Sequence, residues 1–203
     1  MRHNRLRWLP GLFVLLLVAG ACTNTPEPRT APVTATEQVM TNPFTPDDEP
    51  APGLRVVEDT TGTCSPSNVS VGNTAARRCV TPVFLVLDPC FVPPTGQHFV
   101  ALCLPDPTST EAVRFTMTAD LGPRRQDAGT PQPWFVELAD GRMCAQVAGD
   151  TLPTLNGEPP TFGCGHADYL YGTPQHGTGI WTMANRRDSE LAVETVQIRT
   201  AWL

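Results

Sequence analysis

Six cysteines between positions 64 and 164 constrain this chain more than any other feature: Cys64, Cys79, Cys90, Cys103, Cys144 and Cys164. An even set of this kind in an exported chain reads as a disulfide framework. The competing reading is a zinc site, but no two of them have the two-to-four-residue spacing of a zinc knuckle. Six cysteines admit many pairings. Neighbour pairing is expected, as Cys64–Cys79, Cys90–Cys103 and Cys144–Cys164, because each pair brackets a turn-rich loop. Closing loops of that length stabilises a fold by ~3 kcal/mol each in the chain-entropy model.

The framework requires an oxidising compartment, and the N-terminus supplies the route. Arg2, Arg5 and Arg7 precede an apolar run from Leu9 to Val18, interrupted by Pro10 and Gly11. The run is too short for a stable membrane span, which takes ~20 apolar residues. A basic start, a short apolar core and then small residues describe a secretory signal. Ala19, Gly20 and Ala21 lead to Cys22, the seventh cysteine. This stretch resembles the lipobox of bacterial lipoproteins, although Ala19 stands where leucine is usual. The resemblance implies that residues 1–21 are removed and that Cys22 carries the lipid, with palmitate among its acyl groups. It places the protein on the cell membrane or outer membrane, facing away from the cytoplasm. Thr23 after the cysteine, rather than Asp, points to outer-membrane sorting in a two-membrane cell.

Charge narrows the partners. The chain has 14 Lys and Arg together, all of them Arg, against 20 acidic residues. Three Arg leave with the signal, so the remaining chain carries 11 minus 20, or −9. Phosphate backbones repel such a surface, and nucleic acid is excluded as an expected partner. Anionic lipid heads repel it too, which leaves acyl chains as the membrane attachment.

Residues 22–57 are rich in Pro, Thr, Ala and Glu and show almost no apolar periodicity. They are expected to form a disordered tether, since they bury too little surface to offset their conformational entropy. Residues 58–203 are expected to form one disulfide-stapled all-β domain, a sandwich or barrel. Expected strands include the apolar run Val83–Leu87, then Phe99–Leu104, the alternating Val113–Thr118, and Leu191–Trp202. Trp134–Leu138 and Arg142–Val147 flank Ala139-Asp140-Gly141, the best hairpin signal present. Short helices are entertained at Thr108–Ala112 and Arg186–Leu191. No internal repeat is evident.

Several stretches occur in a familiar order: Ala76-Arg77-Arg78-Cys79, Asp88-Pro89-Cys90-Phe91, Val100-Ala101-Leu102-Cys103, Pro133 to Gly141, Cys144, Gly163-Cys164, Leu170-Tyr171-Gly172 and Trp181. The pattern is similar to a family of uncharacterised exported proteins of bacteria with GC-rich genomes, from about Cys64 to the C-terminus. Arg77 departs from it, standing where an aromatic residue is expected. The resemblance implies export and a shared fold, and it transfers no catalytic residue.

Residues that could carry chemistry are few. His166 and Asp168 follow Cys164 in a Gly-rich stretch, with His176 beyond. A paired cysteine is no ligand, and zinc takes three or four protein ligands, so no metal and no cofactor are expected. Nothing matches a nucleophile elbow or a phosphate loop. The pairs Arg77-Arg78, Arg124-Arg125 and Arg186-Arg187 read as solvated loop charge. If a surface is used, His166, Asp168, Tyr169, Tyr171 and Trp181 offer exposed backbone and aromatic faces for a sugar or peptide. Two functional classes follow. One is a non-enzymatic module binding an envelope ligand or protein. The other is an envelope hydrolase with a dispersed carboxylate or His site.

Overall fold

A computed structural model of the chain describes residues 32–95, 99–122, 131–149, 151–187 and 192–203. The signal segment, Cys22, His98 and the Arg124-Arg125 pair lie outside these residues. The fold is all-β, and its strands close into two barrels that follow one another along the chain.

The first barrel is formed by β2 (Arg55–Pro66), β3 (Ala76–Val80), β4 (Val86–Phe91), β5 (Val100–Cys103) and β6 (Glu111–Asp120). Each is antiparallel to the next. Five strands alternating in direction must close with a parallel pair. β2 and β6 are indeed parallel, in register from Arg55 opposite Glu111 to Cys64 opposite Asp120. The second barrel is formed by β7 (Phe135–Leu138), β8 (Met143–Gln146), β9 (Pro160–Gly163), β10 (Asp168–His176), β11 (Trp181–Arg187) and β12 (Glu194–Trp202). Six alternating strands close antiparallel, here β12 with β7. Closure removes the sheet edges at which other chains would pair.

Alternation fills both interiors. In β6, Val113, Phe115 and Met117 pack inside with Ala101 and the cysteines of β2 to β5. The second core holds Val136, Leu138, Phe162, Leu170, Met183 and Ile198. Simple alternation from Val196 would point Thr200 inward, but the pairing with β7 shifts register between Ile198 and Thr200. Such a bulge re-aims the side chains beyond it. Ala201 and Leu203 join the core, while Trp202 packs towards the first barrel.

The disulfides join cross-strand neighbours as Cys64–Cys79, Cys90–Cys103 and Cys144–Cys164. The first two are register partners in β2–β3 and β4–β5. Cys164 stands one residue beyond the Ala145–Gly163 pair, opposite Cys144. Cα separations of 4.1, 3.8 and 4.1 Å fit the closely spaced positions of antiparallel pairs.

Arg77, expected as solvated loop charge, is buried in β3 with its guanidinium on Asp120, and three further expectations change. Of the residues assigned to the tether, 36–54 pack on the barrels and 55–57 open β2. β1 (Glu37–Val39) runs parallel to Thr200–Trp202. Phe44 covers Leu102 and Ala112 on the outside of the first barrel. Thr41 donates its N–H to the Leu203 carbonyl and accepts from the Trp134 indole, while its carbonyl accepts from the Asn73 amide. A segment with little apolar content is thus held by a few anchors and backbone pairing. Second, the described residues contain no helix: Glu111 opens β6, and Arg186 and Arg187 end β11. Third, the run Val83–Leu87 is not one strand, since β4 begins only at Val86.

The barrels meet across an aromatic layer. Phe91 of β4 lies 6.2 Å from Trp134, which lies 5.6 Å from Phe135, itself 5.8 Å from Trp202. Such tilted and edge-on pairs add to the burial of their area. Gln146 spans the same seam, donating to the carbonyls of Val69 and Pro133.

Candidate functional site

The residues singled out from sequence do not converge. His166 sits exposed at the tip of the β9–β10 turn, between Gly165 and Ala167, both at positive φ. Asp168, two residues on, is buried and fully engaged. One carboxylate oxygen accepts from Asn185 Nδ2 at 2.7 Å, and the other accepts from the Arg142 guanidinium, with Arg187 at 4.0 Å. Arg142 also grips Asp140 at 2.7 Å. This network ties the β7–β8 turn to the starts of β10 and the end of β11. Replacing one member would leave buried charge uncompensated, so the arrangement is a clamp.

The aromatic residues part company in the same way. Trp181 is buried in the second core and stacks on His176 at 4.0 Å between centroids. It pairs at the far end of the β10–β11 hairpin from Asp168, eight residues along β10 or ~25 Å. Tyr171 is buried, its hydroxyl donating to the Pro153 carbonyl at 3.1 Å, with the Arg186 guanidinium 5.7 Å from its ring. Tyr169 is half-buried against Gly163. No group of three His, Cys, Asp or Glu lies within reach of one metal ion among the described residues.

Electrostatics set the β7–β8 turn apart. Burial pushes the Asp140 carboxyl up, but the Arg142 N–H and guanidinium, with Arg187 further off, outweigh this and hold it below its usual range. Arg142 is correspondingly raised: burial works against its charge, and Asp168 and Asp140 more than compensate.

The unusual surface lies on the first barrel, where β3 turns into β4. The Thr81 N–H donates to the Leu85 carbonyl at 3.0 Å, and the Phe84 N–H to the Thr81 carbonyl at 2.9 Å. The Leu85 N–H donates to Thr81 Oγ1 at 3.0 Å. This is a three-residue hairpin loop whose last residue takes the left-handed conformation, a place that favours Gly or Asn. Here it is Phe84, at φ 64°. An aromatic residue there costs about 1–2 kcal/mol. Val83, Phe84, Leu85 and Val86 are 82, 85, 53 and 42 % exposed. Beside them opens a cleft of about 300 Å³, lined by Val57, Val86, Leu104 and Ala112 together with the acidic Asp88 and Glu111.

Sequence reasoning missed this loop. It contains no Gly, Asn or Asp, and its apolar run reads as a buried strand. The Thr81-Pro82 dipeptide was the available turn signal. Comparison with known protein families, with curated proteins and with solved structures found no match.

Proposed function

We propose that this chain is a lipid-anchored envelope protein whose paired barrels form a non-catalytic binding or structural module, presenting the Thr81–Leu85 hairpin as its contact surface. The fate of Asp168 carries the non-catalytic half of this reading. An acid or base must be held free, within reach of a substrate proton. Asp168 instead spends both oxygens on Arg142, Asn185 and Arg187, and His166 stands exposed in the turn before it. The exported address rests on the basic and apolar leader, the small residues before Cys22, and three register-paired disulfides of a kind that persist in oxidising compartments.

Two substitutions test it. Cys22→Ser should release the protein from the membrane fraction and block normal processing; retention with normal processing sinks the anchor. His166→Ala should leave folding and any cell phenotype unchanged. Loss of phenotype with the melting temperature preserved would move the reading to the hydrolase.

A further inference from the structure

We infer that the Thr81–Leu85 hairpin is a second membrane contact, an apolar wedge that enters the edge of the lipid hydrocarbon beside the N-terminal anchor. The inference deepens the proposed module and rests on it for the anchor's position. Four observations carry it.

The first is display. Val83, Phe84 and Leu85 project from a convex tip, with Val86 continuing the apolar surface into β4. A protein partner would have to supply a matching hollow, whereas a bilayer receives a convex apolar tip without one. The second is the backbone. Hydrocarbon offers no hydrogen bonds, so polar groups entering it must be satisfied internally. Of the turn's N–H groups, those of Thr81, Phe84 and Leu85 are bonded within it and Pro82 has none, which leaves that of Val83 to the polar headgroup layer. The third is charge: no ionisable side chain occurs between Arg78 and Asp88 except the disulfide-bonded Cys79. The fourth is reach. Thr36 is fixed to the barrels through its N–H and hydroxyl. Cys22 lies 14 residues before it, a distance of at most ~50 Å. A folded body of this size is ~40 Å across. A chain so anchored can bring the hairpin to the bilayer, and the anchor supplies an effective lipid concentration that makes weak intrinsic insertion sufficient.

The test uses the chain from residue 22 onward with Cys22→Ser, because the apolar leader would itself bind lipid. This chain includes every described residue. The probe is a neutral phosphatidylcholine vesicle, which removes any part played by the protein's acidic charge. Co-sedimentation should give a partition coefficient of about 10³ M⁻¹, below the ~10⁴ M⁻¹ of a single myristoyl chain. The combined substitution Val83→Ser, Phe84→Ser and Leu85→Ser should lower it at least tenfold. Phe84→Gly, which relieves the left-handed backbone and so guards against misfolding, should lower it by about tenfold. Failure of the parent chain to sediment with 5 mM lipid (about five times the expected half-saturation) overturns the inference, as does equal binding by the triple variant. A self-associating parent that the triple variant renders monomeric, with no lipid binding by either, assigns the tip to a second copy and also overturns it. No sample carries the anchor, so failure here leaves the Cys22 fractionation result standing, and the reverse holds too.

Discussion

Two turns in this protein share one backbone and differ in nearly everything else. Leu138 to Arg142 repeats the hydrogen bonds of Thr81 to Leu85: the first N–H bonds the last carbonyl at 2.9 Å, and the fourth N–H bonds the first carbonyl at 2.9 Å. In both, the fourth residue is left-handed. In the second barrel that residue is Gly141, at φ 87°, preceded by Asp140, whose carboxylate accepts from the Arg142 N–H. In the first barrel it is Phe84, preceded by Val83. One turn is chemically suited to its own geometry, and the other sacrifices local stability to hold an aromatic ring in solvent. Where local preference and structure disagree, function is the first explanation to test.

The strands around the two turns differ to match. β3 is bonded to β2 through Cys79, and β4 to β5 through Cys90, so both strands entering the unfavourable turn are covalently held. β7 carries no cysteine, and Cys144 of β8 points to the far side of its hairpin, joining Cys164. A conformation of this kind persists only where its surroundings over-determine it. Breaking that support should produce the largest effect. Replacing Cys90 and Cys103 by Ala should cost about 3 kcal/mol and lower the melting temperature by roughly 6–12 °C. Hydrogen exchange should show the Phe84 amide losing more protection than the Gly141 amide. Equal losses at both amides would mean that the disulfide does not support the turn locally.

Exchanging the residues at the left-handed position comes next in size. Gly141→Ala should destabilise by about 1 kcal/mol, because the added Cβ meets its own backbone. Phe84→Gly should change stability in the opposite direction by up to about 1 kcal/mol, the relief being partly offset by the freedom glycine has when unfolded. Urea denaturation of the two variants reads both signs. A destabilising Phe84→Gly would mean that the ring packs on something in the native state and is not a free wedge.

The two turns also show what was legible beforehand. Asp140-Gly141 was readable because its residues state the conformation they adopt. Thr81–Leu85 was not, because its apolar run carries the pattern of a buried strand and contains no Gly, Asn or Asp to mark the turn. The same division runs through the molecule. Val113, Phe115 and Met117 betrayed β6 by alternation, and the cysteines betrayed neighbouring strands by bracketing turns. The Pro-rich stretch around Thr41 and Phe44 was misread, since it is held by long-range bonds to Leu203, Trp134 and Asn73 that no local pattern encodes. Asp168 looked available because the sequence does not reveal that Arg142 and Asn185 fold against it.

The smallest expected effect separates the turns by acidity. Asp140 is held below its ordinary carboxylate value by Arg142 and Arg187 in spite of partial burial. A depressed folded value means that the carboxylate contributes stability above the unfolded value, near pH 4, and that this contribution is lost as pH falls through the lower, folded value. The window therefore lies below about pH 4. Asp140 is half-exposed and screened by solvent, so the contribution is a few tenths of a kcal/mol. Thr81 to Leu85 contain no titratable side chain. Between pH 5 and pH 2.5, the amides of Gly141 and Arg142 should lose protection beyond the intrinsic change in exchange rate, and those of Phe84 and Leu85 should not. Asp168 also faces Arg142, so the control is Asp140→Asn, which keeps a side-chain oxygen for the Arg142 N–H and removes the charge. If the acid response of Gly141 survives that substitution, it does not originate in Asp140, and the two turns differ in glycine alone.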